Sequence, residues 1–228
     1  MIPALILFLI KKFKGRPIAF LKTNALKTLV IKILVLVVVV LLVSSFIVID
    51  FNNSKIYNVV KNEKVIGVIK INKHTSESSI VYTLSSTIKV KLLLKFDIVG
   101  KEKAIYKNGV LTFSSVYRTL NNKVKVNHNI VLNNNQYQVQ SSNDIKYLDY
   151  KTITHNLVML YFQEPIGVTS IFCDNQKEMV PVKALSEGKY KVEISNDKYN
   201  VFHYKNGKCI KIEAVSKLFS VILIPAES

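Results

Sequence analysis

The sequence predicts a mainly β protein: a curved antiparallel sheet, or an open half-barrel meander, with one short helix against it and a hydrophobic helix in front. Three observations predict it. From about Phe46 apolar residues recur at every second position, the period of a strand with one face on a core and one in water. Asn-Gly pairs and Asn-rich breaks punctuate those runs, which is hairpin chemistry. Ahead of them lies one long apolar run, residues 33–49, with Lys22, Lys27 and Lys32 on its N-terminal side.

The elements follow in order. Residues 1–32 form a basic extension. Up to residue 45 there are seven cations and no Asp or Glu, so the formal charge of +17 divides into +7 and +10. Residues 2–10 are apolar but too short to span a bilayer alone. The run 33–49 has two polar members, Ser44 and Ser45, and stands open to two readings. As a signal-peptide h-region it is cleaved after Ser45, where small residues follow the apolar stretch. As a transmembrane anchor it has the minimum length, and its cationic flank stays on the cytoplasmic side. Both readings place the remaining domain, residues 50–228, outside the cytoplasm: periplasmic, in the envelope, or secreted. The absence of a Cys after the run excludes a bacterial lipoprotein, since there is no thiol to acylate.

Within the domain, residues 64–72 alternate imperfectly, and residues 79–97 read as one long strand or two with a bend. Residues 123–132 alternate well, with Val124, Val126, His128 and Ile130 on one face and Lys125, Asn127 and Asn129 on the other. Asn108-Gly109 and Asn206-Gly207 mark tight hairpins; Asn121-Asn122 and residues 133–135 mark further breaks. Residues 152–165 depart from period two. Ile153, Leu157, Leu160 and Tyr161 recur at helical spacing, Thr152 or Thr154 can cap, and Pro165 terminates. That predicts the short helix, at residues 152–163. Runs after it bring the expected total to between nine and eleven strands, a number at which a sheet curls.

Certain residues also resemble a known family. Tyr57-Asn-Val-Val-Lys-Asn-Glu-Lys-Val-Ile-Gly67 is similar to its opening strand pair, and Lys107-Asn-Gly-Val-Leu-Thr-Phe-Ser-Ser-Val-Tyr-Arg118 with Lys123-Val-Lys-Val-Asn127 to a later one. Tyr161-Phe-Gln-Glu-Pro-Ile-Gly167 and Tyr204-Lys-Asn-Gly-Lys-Cys209 fit as well. The chain resembles domain-of-unknown-function family 6134, a family of exported bacterial proteins, over residues 54–224. The resemblance implies export and a β-rich curved sheet. It implies no activity, and no catalytic residue carries over.

Composition narrows the function classes. The 30 lysines against two arginines, with abundant Asn and Ile, are the bias of an AT-rich genome, and the lysines are scattered rather than grouped. We therefore expect no nucleic-acid partner. Four histidines share no ligand spacing, so no metal and no cofactor is expected. No Gly-x-Ser-x-Gly elbow or phosphate loop occurs, and the chain is read as a non-enzyme. Cys173 and Cys209 can form at most one disulfide; two buried thiols is the favoured reading. Arg118 is the single arginine after residue 16. Its fork suits the carboxylate or phosphate of a ligand, or, as the favoured reading, a structural carboxylate partner such as Glu164. The expected site gathers Tyr117, Arg118, Lys125, Asn127, His155 and Glu164. The expected function is binding of a hydrophobic or anionic small molecule, or a lipid, on the concave face of the sheet. The alternative is a structural or protein-interaction module of the envelope with no small ligand.

Overall fold

A computed structural model of the chain describes residues 32–33, 51–91, 95–141, 144–217 and 219–226. Apart from Lys32 and Ile33, the basic extension and the apolar run lie outside the described residues, and so does the expected hydrophobic helix. Among the described residues no helix is long and apolar enough to cross a membrane. The chain divides into two units, Met1–Val48 and Ile49–Ser228; everything below concerns the second.

Tight turns set the architecture. Asn62-Glu63, Asn108-Gly109, Asn121-Asn122, Asn134-Asn135 and Asn206-Gly207 all have φ between +48° and +77° at both positions. That is the geometry of the two-residue turn whose twist matches a hairpin, and Asn and Gly tolerate it best. The strands so joined are β1 (Phe51–Lys61), β2 (Lys64–Thr75), β3 (Ser79–Lys91), β4 (Lys95–Lys107), β5 (Val110–Leu120), β6 (Lys123–Asn133), β7 (Gln136–Ser141) and β8 (Asp144–Leu148). A second set follows: β9 (Ser170–Cys173), β10 (Glu178–Ser186), β11 (Lys189–Ser195), β12 (Lys198–Lys205), β13 (Lys208–Ser216) and β14 (Ser220–Pro225). Fourteen described strands replace the nine to eleven expected. Residues 79–97, open to reading as one long strand or two, are β3 and the start of β4, and residues 209–224 divide into β13 and β14.

The topology is two meanders joined at their ends. The order is β8-β7-β6-β5-β4-β3-β2-β1-β14-β13-β12-β11-β10-β9. Every strand pairs antiparallel with its neighbours, and β1 pairs with β14 from Tyr57↔Pro225 to Val60↔Ile222. The first and last strands therefore form the central seam. The two sheet edges, β8 and β9, are consecutive in sequence and are linked by residues 149–169.

That link is a plug. Inward side chains from both meanders, among them Tyr57, Ile71, Tyr82, Tyr106 and Ile130 on one wing and Phe172, Val192, Phe202 and Ile212 on the other, share one core with Ile153, Val158, Leu160 and Tyr161 of the link. A single core fed by one face of both wings means that the sheet curls around the link. Tyr161 meets Tyr57 at 5.5 Å and Phe202 at 5.9 Å, both edge-on, and Phe162 lies 5.7 Å from Tyr82. These are favourable aromatic geometries.

The expected α-helix is corrected here. Only Leu157–Tyr161 is helical, as a five-residue 3-10 turn. Upstream the backbone is held extended by bonds to the sheet. Leu111 N–H donates to Ile153 C=O (2.8 Å), Ile153 N–H to the Tyr137 hydroxyl (3.0 Å), and Phe172 N–H to His155 C=O (2.9 Å). Asn156 precedes the turn with φ −135°, ψ 174°, and makes no side-chain cap. Thr152 and Thr154 are therefore not caps. The helical spacing misled because the plug is surrounded, so its apolar residues are needed on every side rather than on one stripe.

Candidate functional site

The concave face carries one polar cluster, built by strand register. Across β4, β5 and β6 the row Glu102↔Val116↔His128 points inward; Ala104 and Ser114 stand one inward step to one side, Gly100 and Arg118 to the other. Arg118 thus sits diagonal to Glu102, within reach of a long side chain, and its Nη2 donates to Glu102 Oε1. Burial alone would lower the Arg118 pKa; the Glu102 charge and hydrogen bond outweigh it and raise it. The carboxylate partner expected from sequence was Glu164. The structure instead gives Glu164 the Tyr190 hydroxyl, at 3.0 Å on the other wing.

Above this row, where β9 ends, Asp174 is buried against the plug. Its Oδ2 accepts from Asn156 Nδ2 at 2.9 Å, and its backbone carbonyl lies 2.9 Å from His128 Nε2. Burial pushes the Asp174 carboxyl up to about 7; the Glu102 charge adds to this, while the Ser114 and Asn156 side chains oppose it. Burial also lowers the His128 pKa, with the contact to the Asp174 carbonyl opposing. Tyr106 is raised by burial and by the Asp174 charge. Among the described residues, Asn156 Oδ1, Tyr106 Oη and Arg118 Nε are buried without a hydrogen-bond partner. Such atoms are few in folded proteins, and here they gather in one region.

Beside the cluster a cleft of about 260 Å³ separates the plug from the sheet. Ile69, Leu84, Ile88 and Ile98 form its sheet wall, Leu157, Val158 and Tyr161 its plug wall, and Ser86, Glu102, Arg118 and Asn200 are its polar lining. The plug wall is fixed from below: the Tyr204 hydroxyl donates to Leu160 C=O at 2.6 Å, and Lys55 Nζ to Tyr161 C=O at 2.8 Å. An apolar cleft with a few convergent polar groups is the general form of a small-molecule site, and its volume is at the small end.

The six residues expected to form a site are not brought together. Arg118 faces the cleft. Tyr117, Lys125 and Asn127 point outward and are exposed. His155 lies on the plug with its Nδ1 3.0 Å from Thr154 Oγ1. His128 and Ile130 are buried on the expected face, but Val124 is 54% exposed. A register shift between Arg118 and Thr119 turns it over. Cys173 and Cys209 are both free and buried, and burial raises both thiols, Cys209 to about 11. Sequence reasoning missed Glu102, Ser114, Asn156 and Asp174. For Glu102 a signal existed: in Lys101-Glu-Lys-Ala-Ile-Tyr106 it shares parity with the inward Ala104 and Tyr106, and the lysines take the other face. Among the described residues, no three His, Cys, Asp or Glu are grouped so as to hold a metal ion.

Residues 57–226 match the family described as Domain of unknown function (DUF6134). The chain belongs to that family. No curated protein matches this DUF6134 chain. Among solved structures it is similar to one described as the crystal structure of a β-barrel-like protein of domain of unknown function DUF1849 from Brucella abortus. The TM-score is 0.50 at 11% identity, over 79% of this chain and 98% of that one. At that identity the likeness shows a shared fold alone.

Proposed function

We propose that the DUF6134 domain binds a small anionic amphiphile, with its apolar body in the cleft between plug and sheet and its acidic head at Arg118. One observation carries this reading: the cleft between the isoleucines and leucine of the sheet and the plug is also lined by Arg118, whose guanidinium keeps an unpartnered, buried Nε–H beside its Glu102 contact. A buried donor without an acceptor is costly, and a carboxylate or phosphate supplies the acceptor. The reading is of binding, not catalysis. It accompanies the export proposed from the apolar run 33–49, for which a reporter fused after Ser228 is the check: activity only of an extracytoplasmic reporter supports export, and activity of a cytoplasmic one opposes it.

Calorimetric titration with octanoate, and with octylamine as the cation of equal length, tests the binding. Octanoate should bind at one site. Arg118→Lys should weaken it, because a lysine lacks the planar fork, and Ser86→Leu, which fills the cleft opposite Gly100, should abolish it. Equal binding of the two probes, or an unchanged Ser86→Leu titration, would defeat the proposal. A second reading, an interaction module without a small ligand, is favoured by the edge strand β8, where Ile145 and Tyr147 are 57% and 59% exposed. Edge strands with exposed apolar side chains are templates for another chain.

A further inference from the structure

The central seam of the sheet is interrupted at one end. β14 lies between β1 and β13, and its pairing with β1 ends where Ala226 N–H donates to Ile56 C=O. Beyond that point residues 51–55 of β1 keep β2 on one side and, among the described residues, have no strand on the other. The ladder between β14 and β13 stops earlier, at Leu223↔Ile212. The cause is local. Antiparallel strands turn alternate residues to each neighbour; Ala226 faces β1, so Leu223 and Pro225 face β13. Pro225 has no N–H to donate. β13 also bulges here: His203 pairs with Lys211 and Tyr204 with Cys209, and Ile210 is left over.

The result is a slot of about 530 Å³ between residues 54–57 of β1 and residues 208–210 of β13, closed at one end by Pro225 and Ala226. Its walls are second neighbours in the sheet, so they stand about 10 Å apart, the room that one strand takes. Tyr57 ties them together on the core side, its hydroxyl donating to Cys209 C=O at 3.2 Å.

The slot suits a peptide backbone. By the same alternation Ser54, two residues before Ile56, turns its N–H and C=O into the slot, and Asn52 does so next. Another strand complements a donor and an acceptor that repeat at this spacing; a lipid chain offers neither. The surroundings are apolar. Apart from Ile33, thirteen large hydrophobic residues are exposed among the described residues, and six of them lie on the four strands about the seam: Ile56, Val65, Val68, Ile210, Ile222 and Ile224. Ile56 and Ile210 stand on the two walls of the slot. We propose that the slot takes an extended segment of another protein chain, which adds a strand between β1 and β13 and lays apolar side chains on Ile56 and Ile210. This addition inside the sheet is separate from the cleft ligand and from the β8 edge, and each can fail without the others.

The test uses the full chain in a non-ionic detergent and the fluorescence anisotropy of a labelled Thr-Val-Thr-Val-Thr amide. The peptide should bind. The same peptide N-methylated at both valines keeps its side chains but loses backbone donors, and should bind about tenfold more weakly or not at all. Ile56→Asp, at an exposed position, should abolish binding by placing an unpaired charge in the interface. Ser54→Pro removes the N–H that faces the slot and leaves the bonds to β2, and should do the same. Ile145→Asp, on the β8 edge, should bind as wild type. The proposal is overturned if the peptide does not bind, if methylation changes nothing, or if Ile145→Asp loses binding while Ile56→Asp keeps it. It is overturned too if only a chain ending at Ala226 binds, since the slot then belongs to residues 227–228.

Discussion

Asp174→Asn should make the domain more stable above neutral pH and remove a defined part of its pH dependence. Asp174 is held at about 7 by burial, against an ordinary value of 3.8. A carboxyl with a raised native pKa binds its proton more tightly folded than unfolded. Its stabilising contribution is therefore complete below about 3.8 and is lost progressively as pH rises to and through about 7. A shift of roughly three units corresponds to about 4 kcal/mol at most, a large part of the stability of an ordinary domain. Asparagine keeps an oxygen to accept from Asn156 Nδ2 and carries no charge at any pH. The assay is urea unfolding of the Ile49–Ser228 unit, wild type and variant, at about pH 4.5 and about pH 8.5. His128, whose lowered pKa acts in the opposite direction and is lost as pH falls, is present in both proteins and cancels in the difference. The variant should gain on the wild type by several kcal/mol between the two pH values. Parallel pH profiles would refute the reasoning and would mean that Asp174 is solvated or paired when ionised.

Other substitutions probe the plug, the ion pair and the sheet. Tyr204→Phe removes the donor to Leu160 C=O and should cost about 1–3 kcal/mol, since a buried carbonyl is left unpaired; denaturant melts read this directly. Arg118→Lys keeps the charge but not the fork on Glu102, and for a part-exposed pair the loss should be no more than about 1 kcal/mol. A Cβ on Gly67 would lie 2.4 Å from Thr87 C=O, so Gly67→Ala should force β2 from β3 and cost about 1–3 kcal/mol. Its thermal midpoint should fall, while that of Gly109→Ala, which meets no atom within 4 Å, should fall less and only through its positive φ.

The local parts of this fold were legible and the global parts were not. Asn108-Gly109 and Asn206-Gly207 announce their hairpins because the turn needs two positive φ angles, a property of the residues themselves. The alternation of β6 was read correctly as far as Val126. It failed at Val124, because a bulge depends on the partner strand and leaves no mark in its own sequence. Closure of β1 on β14 and the plug between the two edges depend on contacts more than a hundred residues apart, such as Lys55 with Tyr161. No periodicity records those. Arg118 was legible as a residue needing a carboxylate, yet its partner lies sixteen positions upstream, across the hairpin that Asn108-Gly109 closes. Counting register from that turn leads to Glu102. Asp174 was hidden, for its burial is imposed by the plug rather than by its neighbours in sequence.

Extraction of the protein purified from its own host, followed by mass spectrometry of what it carries, tests the cleft most directly. Wild type should release an anionic amphiphile near one equivalent, and Ser86→Leu, folded to the same melting profile, should release none. An empty wild type, or the same molecule recovered in equal amount from both proteins, would contradict the account.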